Sequence, residues 1–243
     1  HLPFNFQLIR LPWQASSLGA AIEAYEALLP TWGWPNWVLG NHDKSRVASR
    51  VGAAQARVAA MMLLTLRGTP TLYYGDEIGM RQVPIPPDRV QDPFEKNVPG
   101  LGLGRDGCRT PMQWDAGSYA GFSTVEPWLP TAEDVAATNV ARERADSASL
   151  YNLHRRLLAL RRARPALARG AYRPVPAAGD VLAYVREADG ERLLVALNLG
   201  AQPAAMPAEA ATGTVLLSTS GNDIGDLDVL KGHQGVIVAL SGR

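Results

Sequence analysis

Two spacings of apolar residues divide the chain up to Met80. Trp37-Val38-Leu39 and Thr69–Tyr74 are short runs without polar alternation, the pattern of strands covered on both faces. Leu18, Ala21, Ile22, Tyr25, Leu28 and Leu29 recur at helical spacing, and so do Val47, Val51, Ala54, Val58, Met61, Met62 and Leu66. Each set puts an apolar stripe on one helix face. The first predicts a helix over 18–29, capped by Ser16 or Ser17 and stopped by Pro30. The second predicts a helix over 45–66, closed by Gly68. His1–Ile9, with Phe4 and Phe6, reads as a strand running into a loop. The resulting β, α, β, α, β order predicts an α/β fold whose parallel sheet carries helices on both faces.

From Met80 to about Ala145 the rhythm stops. This stretch is rich in Pro and Gly and has no sustained period. Its Phe94, Trp114 and Phe122 predict an ordered insertion rather than a disordered one. Gly102-Leu103-Gly104-Arg105-Asp106-Gly107 matches the dinucleotide fingerprint literally, but no strand precedes it and Pro111 follows where a helix should run, so the match is rejected. A helix returns over 147–162, with Leu150, Leu153, Leu157, Leu158 and Leu160 as its buried face. Asp146 or Ser147 caps it, and Pro165 lies beyond its end. His154 on this helix reads as an ordinary surface or groove histidine.

After about Leu167, strand-like runs at 171–175, 181–186, 192–199, 214–218 and 236–240 are separated by Gly and Pro clusters. They predict a small antiparallel β unit, a sandwich. Tyr172 and Tyr184 alternate like core or sheet residues, and nothing there offers an exposed aromatic platform for starch.

Composition narrows the function classes. The chain has 243 residues, 47% apolar and 19% charged, with a net charge of +1. That suffices for a sizeable core and argues against nucleic acid or a membrane surface as main partner. No apolar run is long enough for a membrane span. The start lacks the regions of a signal peptide, and the expected location is cytoplasmic. The first residue is not Met, so the true start is expected upstream. Cys108 is the sole cysteine; it excludes an internal disulfide and a thiolate metal cage and reads as structural. No metal-ligand cluster and no cofactor motif appears.

Candidate chemistry gathers at Asn41-His42-Asp43. A carboxylate and an imidazole sit where a strand hands over to a helix, which is where chemistry collects in parallel α/β folds. The plain alternative is a helix cap, a role that suits Asp. Asp76 and Glu77 form a carboxylate pair after the strand at 69–74. Arg109, taken alone, reads as a surface partner of Asp106. The element count has its own consequence. A (β/α)8 barrel takes about 250 residues, roughly 30 per unit, and residues 1–165 without the insertion hold about three units. Such an arc leaves two open sheet edges, so the rest of a barrel is expected elsewhere.

At these motifs the chain resembles the C-terminal part of the α-amylase superfamily (glycoside hydrolase family 13), in its oligo-1,6-glucosidase and α-glucosidase branch. Trp37-Val38-Leu39-Gly40-Asn41-His42-Asp43 resembles the motif after the seventh barrel strand. Gly68-Thr69-Pro70-Thr71-Leu72-Tyr73-Tyr74-Gly75-Asp76-Glu77-Ile78-Gly79-Met80 looks like the eighth strand and its turn. Gly104-Arg105-Asp106-Gly107-Cys108-Arg109-Thr110-Pro111-Met112-Gln113-Trp114-Asp115 is similar to a stretch that marks exo-acting glucosidases. His1–Ile9 then looks like the sixth strand. The fold this implies is the C-terminal part of a (β/α)8 barrel, about strands 6 to 8, over 1–165 with an inserted loop region at about 81–146. An antiparallel β-sandwich follows over 166–243.

The resemblance also implies a retaining glycosidase, in which one carboxyl group attacks the anomeric carbon and another protonates the leaving oxygen and then activates water. Asp43 matches a third, catalytic carboxylate that stabilises the oxocarbenium-like transition state. His42 matches a residue that hydrogen-bonds the same glucose ring. Arg109 matches an arginine that clamps the non-reducing terminal glucose, a role that suits a guanidinium's fixed donors. Asp76 and Glu77 match a turn motif. The implied partner is an α-glucoside oligosaccharide or disaccharide, without a cofactor. The family's calcium position, near the first strand, has no counterpart here. Nor have the nucleophile after the fourth strand and the acid/base glutamate after the fifth. The missing N-terminal barrel half is therefore needed, and the polypeptide alone is expected to be inactive. Sucrose isomerases and trehalose-forming mutases share the framework. The non-enzymatic alternative is a glycosidase-like scaffold or sugar-binding domain.

Overall fold

The computed structural model describes residues 2–221 and 228–241. His1 and the parts of the predicted β unit at 222–227 and 242–243 lie outside the described residues. In chain order the helices are α1 (Gln7–Arg10), α2 (Ala15–Leu28), α3 (Val47–Val51), α4 (Ala53–Thr65), α5 (Pro93–Asn97), α6 (Val140–Ala145), α7 (Leu150–Ala163) and α8 (Pro165–Arg169). The strands are β1 (Asn36–Val38), β2 (Thr69–Thr71), β3 (Ala171–Val175), β4 (Val181–Ala188), β5 (Glu191–Asn198), β6 (Ala204–Ala205), β7 (Thr214–Ser218), β8 (Val229–Leu230) and β9 (Gly235–Ala239). They fall into two compact units, residues 1–39, 54–71 and 153–243 in one and residues 40–53 and 72–152 in the other.

In the first unit β1 and β2 pair in parallel, from Asn36 with Thr69 to Val38 with Thr71. Asn5 also bridges Trp37 in parallel. These segments follow chain order with helices between them, the arrangement of a barrel arc. Residues 2–9 do not form the predicted strand. The side chain of Asn5 accepts the Gln7 N–H at 2.9 Å and turns the chain into α1, so the sheet there shrinks to a single bridge. The predicted 69–74 strand shortens to β2, with Tyr73 and Tyr74 beyond its end. Helix α2 begins at Ala15, ahead of the predicted serine caps, because Asp180 Oδ1 accepts the Ala15 N–H at 2.6 Å. The predicted 45–66 helix is split at Gly52, whose φ of +83° leaves the helical region. Beyond the break α4 is buried all round from Val58 to Thr65 rather than on one face.

Helix α4 ends against two guanidinium groups. Arg186, fully buried, donates to Thr65 O and, at 2.8 Å, to Gly170 O. Arg161 donates to Leu64 O at 2.8 Å, to Leu66 O at 3.0 Å and to Gly68 O. These bonds satisfy carbonyls that a helix end leaves without partners. Burial pulls the Arg186 pKa down to about 10. Helix α7 buries Leu150, Leu153 and Leu157, while Leu158 is exposed. His154 is buried rather than at the surface, because position 154 falls on the same stripe as 150, 153 and 157.

Strands β3, β4, β5, β9 and β7 form one antiparallel sheet in that order. Asp189 (φ +53°) and Gly190 (φ +78°) make the tight turn between β4 and β5, which suits a two-residue hairpin. One sheet face packs Val175, Val181, Ala183, Val185, Leu194, Ala196, Val236 and Val238 beneath Ala210 and Leu230, the latter from the β6–β8 ribbon. On the other face Leu182 meets α2, where a Cβ on Gly19 would stand 3.3 Å from it. Tyr184 Oη lies 2.6 Å from Thr65 Oγ1. Both faces are covered, and so the central strands read as unbroken apolar runs. The rings of buried Tyr184 and half-buried Tyr172 lie 5.3 Å apart.

The second unit has a small apolar core of Ile78, Met80 and Met112, with Val140 and Tyr151 against it. Phe94, Trp114 and Phe122 are each about half exposed, so they are not what orders the insertion. Polar side chains on backbone N–H groups do that. Asp106 Oδ2 accepts from Gln91 and Asp92 at 2.6 and 2.7 Å. Asp92 caps α5 through Phe94 N, and Asn139 caps α6 through Arg142 N. Glu95 takes Gly100 and Gly104 at 2.8 and 3.0 Å. Ser149 Oγ accepts Asn152 N at 3.1 Å, at the start of α7 and past the predicted cap.

Candidate active site

Within the second unit the chain leaves the strand at Gly40, where a Cβ would lie 2.4 Å from Asp76 Oδ2 and force that carboxylate to shift. Asn41 Oδ1 then accepts the Asp43 N–H at 3.0 Å, a side-chain turn that folds the triplet back on itself. Asp43 does not cap α3, whose N-cap is Arg46. Instead its carboxylate is exposed, and two guanidinium groups and an imidazole surround one oxygen. Asp43 Oδ1 lies 3.1 Å from Arg105 Nη1, 3.3 Å from Arg109 Nη2 and 3.4 Å from His42 Nε2. Arg109 Nε also donates to His42 O at 2.8 Å. The structure thus brings His42, Asp43 and Arg109 together from positions 66 residues apart in sequence.

The surface pairing of Arg109 with Asp106 is not what forms. Asp106 is buried and serves backbone N–H groups. Arg105, to which the sequence assigns no role, takes a place at Asp43. Its Nε and Nη2 grip Asp92 Oδ2 and Oδ1 at 2.7 and 2.9 Å, and its guanidinium lies over the Phe94 ring at 4.7 Å. Asp92 is buried, and the hydrogen bonds from Arg105 hold its carboxyl far below the usual carboxylate range. The signal in the sequence is the Arg-Asp-Gly-Cys-Arg spacing, which offers two arginines to the site.

Arg109 is set in place from below. Tyr73 Oη donates to Cys108 O at 3.1 Å and Tyr74 Oη to Thr110 O at 2.6 Å, so the two phenols hold the backbone on either side of it. Burial pushes both phenol pKa values up, so both stay protonated donors. Arg46, fully buried, donates to Tyr74 O at 2.6 Å and faces the Tyr73 and Tyr74 rings at 5.2 and 4.6 Å. Cys108 is buried, its thiol donates to Arg105 O at 3.1 Å, and burial raises its pKa.

Asp76 and Glu77 serve different surroundings. Asp76 turns toward Gly40, and burial pushes its pKa up to about 7 against the pull of Arg46. Glu77 lines a cavity of about 400 Å³ with Tyr74, Arg109, Trp114, Phe122 and Trp128. A larger cavity of about 640 Å³ lies under residues 82–107 and touches none of His42, Asp43 and Arg109. Among the described residues no group of three or more His, Cys, Asp or Glu could hold a metal ion, and no helix is long and apolar enough to cross a membrane.

The family described as "Alpha amylase, catalytic domain" matches residues 4–170, and one described as "Domain of unknown function (DUF3459)" matches residues 167–237. A salivary alpha-glucosidase of Anopheles gambiae is 38% identical over 215 residues, which cover 85% of this chain and 36% of that protein. Among solved structures, an alpha-glucosyl transfer enzyme, XgtA, is 34% identical with a TM-score of 0.89, covering 99% of this chain and 46% of that one. The trehalulose synthase MutB from Pseudomonas mesoacidophila is 30% identical with a TM-score of 0.86, covering 97% of this chain and 50% of that one. The chain spans half or less of the length of these relatives. With a parallel barrel arc and an antiparallel sheet domain in the order this match requires, the chain belongs to the α-amylase family and carries the C-terminal part of its barrel.

Proposed function

We propose that this chain is the C-terminal part of a retaining exo-acting α-glucosidase that removes α-linked glucose from the non-reducing end of oligosaccharides. In this reading Asp43 is the carboxylate that stabilises the oxocarbenium-like transition state, and His42 and Arg109 bind the terminal glucose. The nucleophile and the acid/base come from a barrel half outside these residues, so the 243-residue chain by itself does not hydrolyse glycosides. The observation that carries the reading is the exposed Asp43 carboxylate with Arg109 and His42 against one of its oxygens. A carboxylate held by donors on one side is preorganised for positive charge developing on the other.

The test is an assay of the protein expressed from its complete reading frame. Maltose or isomaltose should release glucose with retained anomeric configuration. D43N should lower kcat/KM by at least about 10²-fold, and the 243-residue chain should release none. Hydrolysis by the chain alone, or wild-type rates in D43N, would overturn the reading. A second reading is a sucrose isomerase or glucosyl transferase, favoured by the names of two matched structures, a trehalulose synthase and an alpha-glucosyl transfer enzyme. Sucrose separates the readings. A hydrolase gives glucose and fructose, whereas an isomerase gives an isomeric disaccharide.

A further inference from the structure

The contacts of the Asp43 carboxylate are one-sided. Arg105, Arg109 and His42 all reach Oδ1, and among the described residues no hydrogen bond or ion pair reaches Oδ2. Of the two arginines, Arg105 is the more firmly held. Its fork closes on both oxygens of Asp92, and its own backbone N–H donates to Asp92 Oδ2 at 2.8 Å. Asp92 has little freedom to follow a moving partner. It is buried, its N–H and that of Gln91 are tied to Asp106 Oδ2, and its Oδ1 caps α5. A chain of contacts therefore runs from Asp106 through Asp92 and Arg105 to one oxygen of Asp43.

We propose that Asp92 is a positioning residue of the sugar site: by gripping Arg105 at two points it fixes Oδ1 of Asp43 and turns Oδ2 toward the bound sugar. The proposal rests on the reading of Asp43 given above. A carboxylate loose about its terminal torsion still meets sugar hydroxyls in the ground state. It loses the alignment that matters when charge develops, and misplacement of a reacting group by about 1 Å can cost about 10²-fold in rate. The effect should therefore fall on kcat more than on KM. A pair that merely stapled the loop would show up in stability and leave this split unmoved.

The experiment uses D92N, R105K, their double variant and D43N in the protein from the complete reading frame, with kcat and KM measured on maltose and melting followed in parallel. D92N and R105K should each lower kcat by about 10- to 100-fold with KM within about 2-fold. The double variant should be no worse than R105K within about 2-fold, because Asp92 acts through Arg105. Multiplying losses in the double variant, or a wild-type kcat in D92N, would overturn the proposal. Should D92N not fold, R105K decides, and a wild-type kcat there overturns it equally. D43N separates the layers. If D43N keeps wild-type activity, the reading of Asp43 falls and this proposal with it. If D43N is inactive while D92N and R105K are not impaired, the positioning role alone falls.

Discussion

Asp76 shows how a single residue ties local geometry to pH. Its carboxyl faces Gly40, one oxygen is buried without a hydrogen-bond partner, and its pKa rises to about 7. A carboxyl raised above its unfolded value gives stability that is present below the unfolded pKa, near 4, and lost as pH rises through 7. The protein should therefore lose stability between about pH 4 and pH 7, by on the order of 2–4 kcal/mol from this group. Asp76→Asn should flatten that slope, as urea melts at several pH values would show; an unchanged slope would place the titration elsewhere. His42 and Asp43 were legible as candidates because their motif follows a strand end; Arg109 entered only through the resemblance, since taken alone it reads as a partner of Asp106. Arg105 and Asp92 were not legible, since irregular loops carry no period to say which arginine meets which carboxylate. His154 misled for the opposite reason: a polar residue on an apolar stripe follows the stripe.

At the scale of elements, the five strands of the large antiparallel sheet were legible to within two residues, because their apolar runs have clear ends, whereas the two-residue strands β6 and β8 were not. The helices were less so. Gly52 cuts one helix, and a carboxylate from the β unit, Asp180, starts another; neither shows in local periodicity. The end of α4 depends on Arg186, which in the sequence is only the last residue of a strand-like run. Arg186→Met should leave Thr65 O and Gly170 O buried without donors and cost about 3 kcal/mol, read as a lower urea midpoint with the slope unchanged. Gly40→Ala should cost about 1–3 kcal/mol by overpacking against Asp76. Asp76→Ala in the same chain should recover part of that cost. Full additivity of the two would mean that the clash is not the cause.

Across the whole molecule the two units rest on different physics. The first buries apolar strands and helices, while the second carries a core of few residues and many carboxylate ties to backbone N–H groups. Asp92 has a depressed pKa, so its contribution is present above the unfolded value and is lost as pH falls below about 4. Digestion with pepsin near pH 2 should therefore cut first within residues 81–146. First cuts in β3–β9 would contradict this division. The arc of parallel strands was legible from the alternation of apolar runs and helical stripes together with length, since too few residues remain for a closed barrel. The division into units was not, because residues 40–53 join the insertion only through contacts distant in sequence.

Cys108 gives the protein a chemical clock. It is the sole thiol in the chain, it is buried, and it precedes Arg109 directly. A thiol reagent can modify it only when this segment opens, so the labelling rate times the breathing of the platform under Arg109 without any engineered probe. Tyr73→Phe, which removes the bond to Cys108 O, should speed labelling several-fold, as mass spectrometry would record. In the proposed role of Arg109, a bound sugar should slow it. Occupancy of the site then becomes readable from the kinetics of one covalent adduct, in a protein that need not turn over.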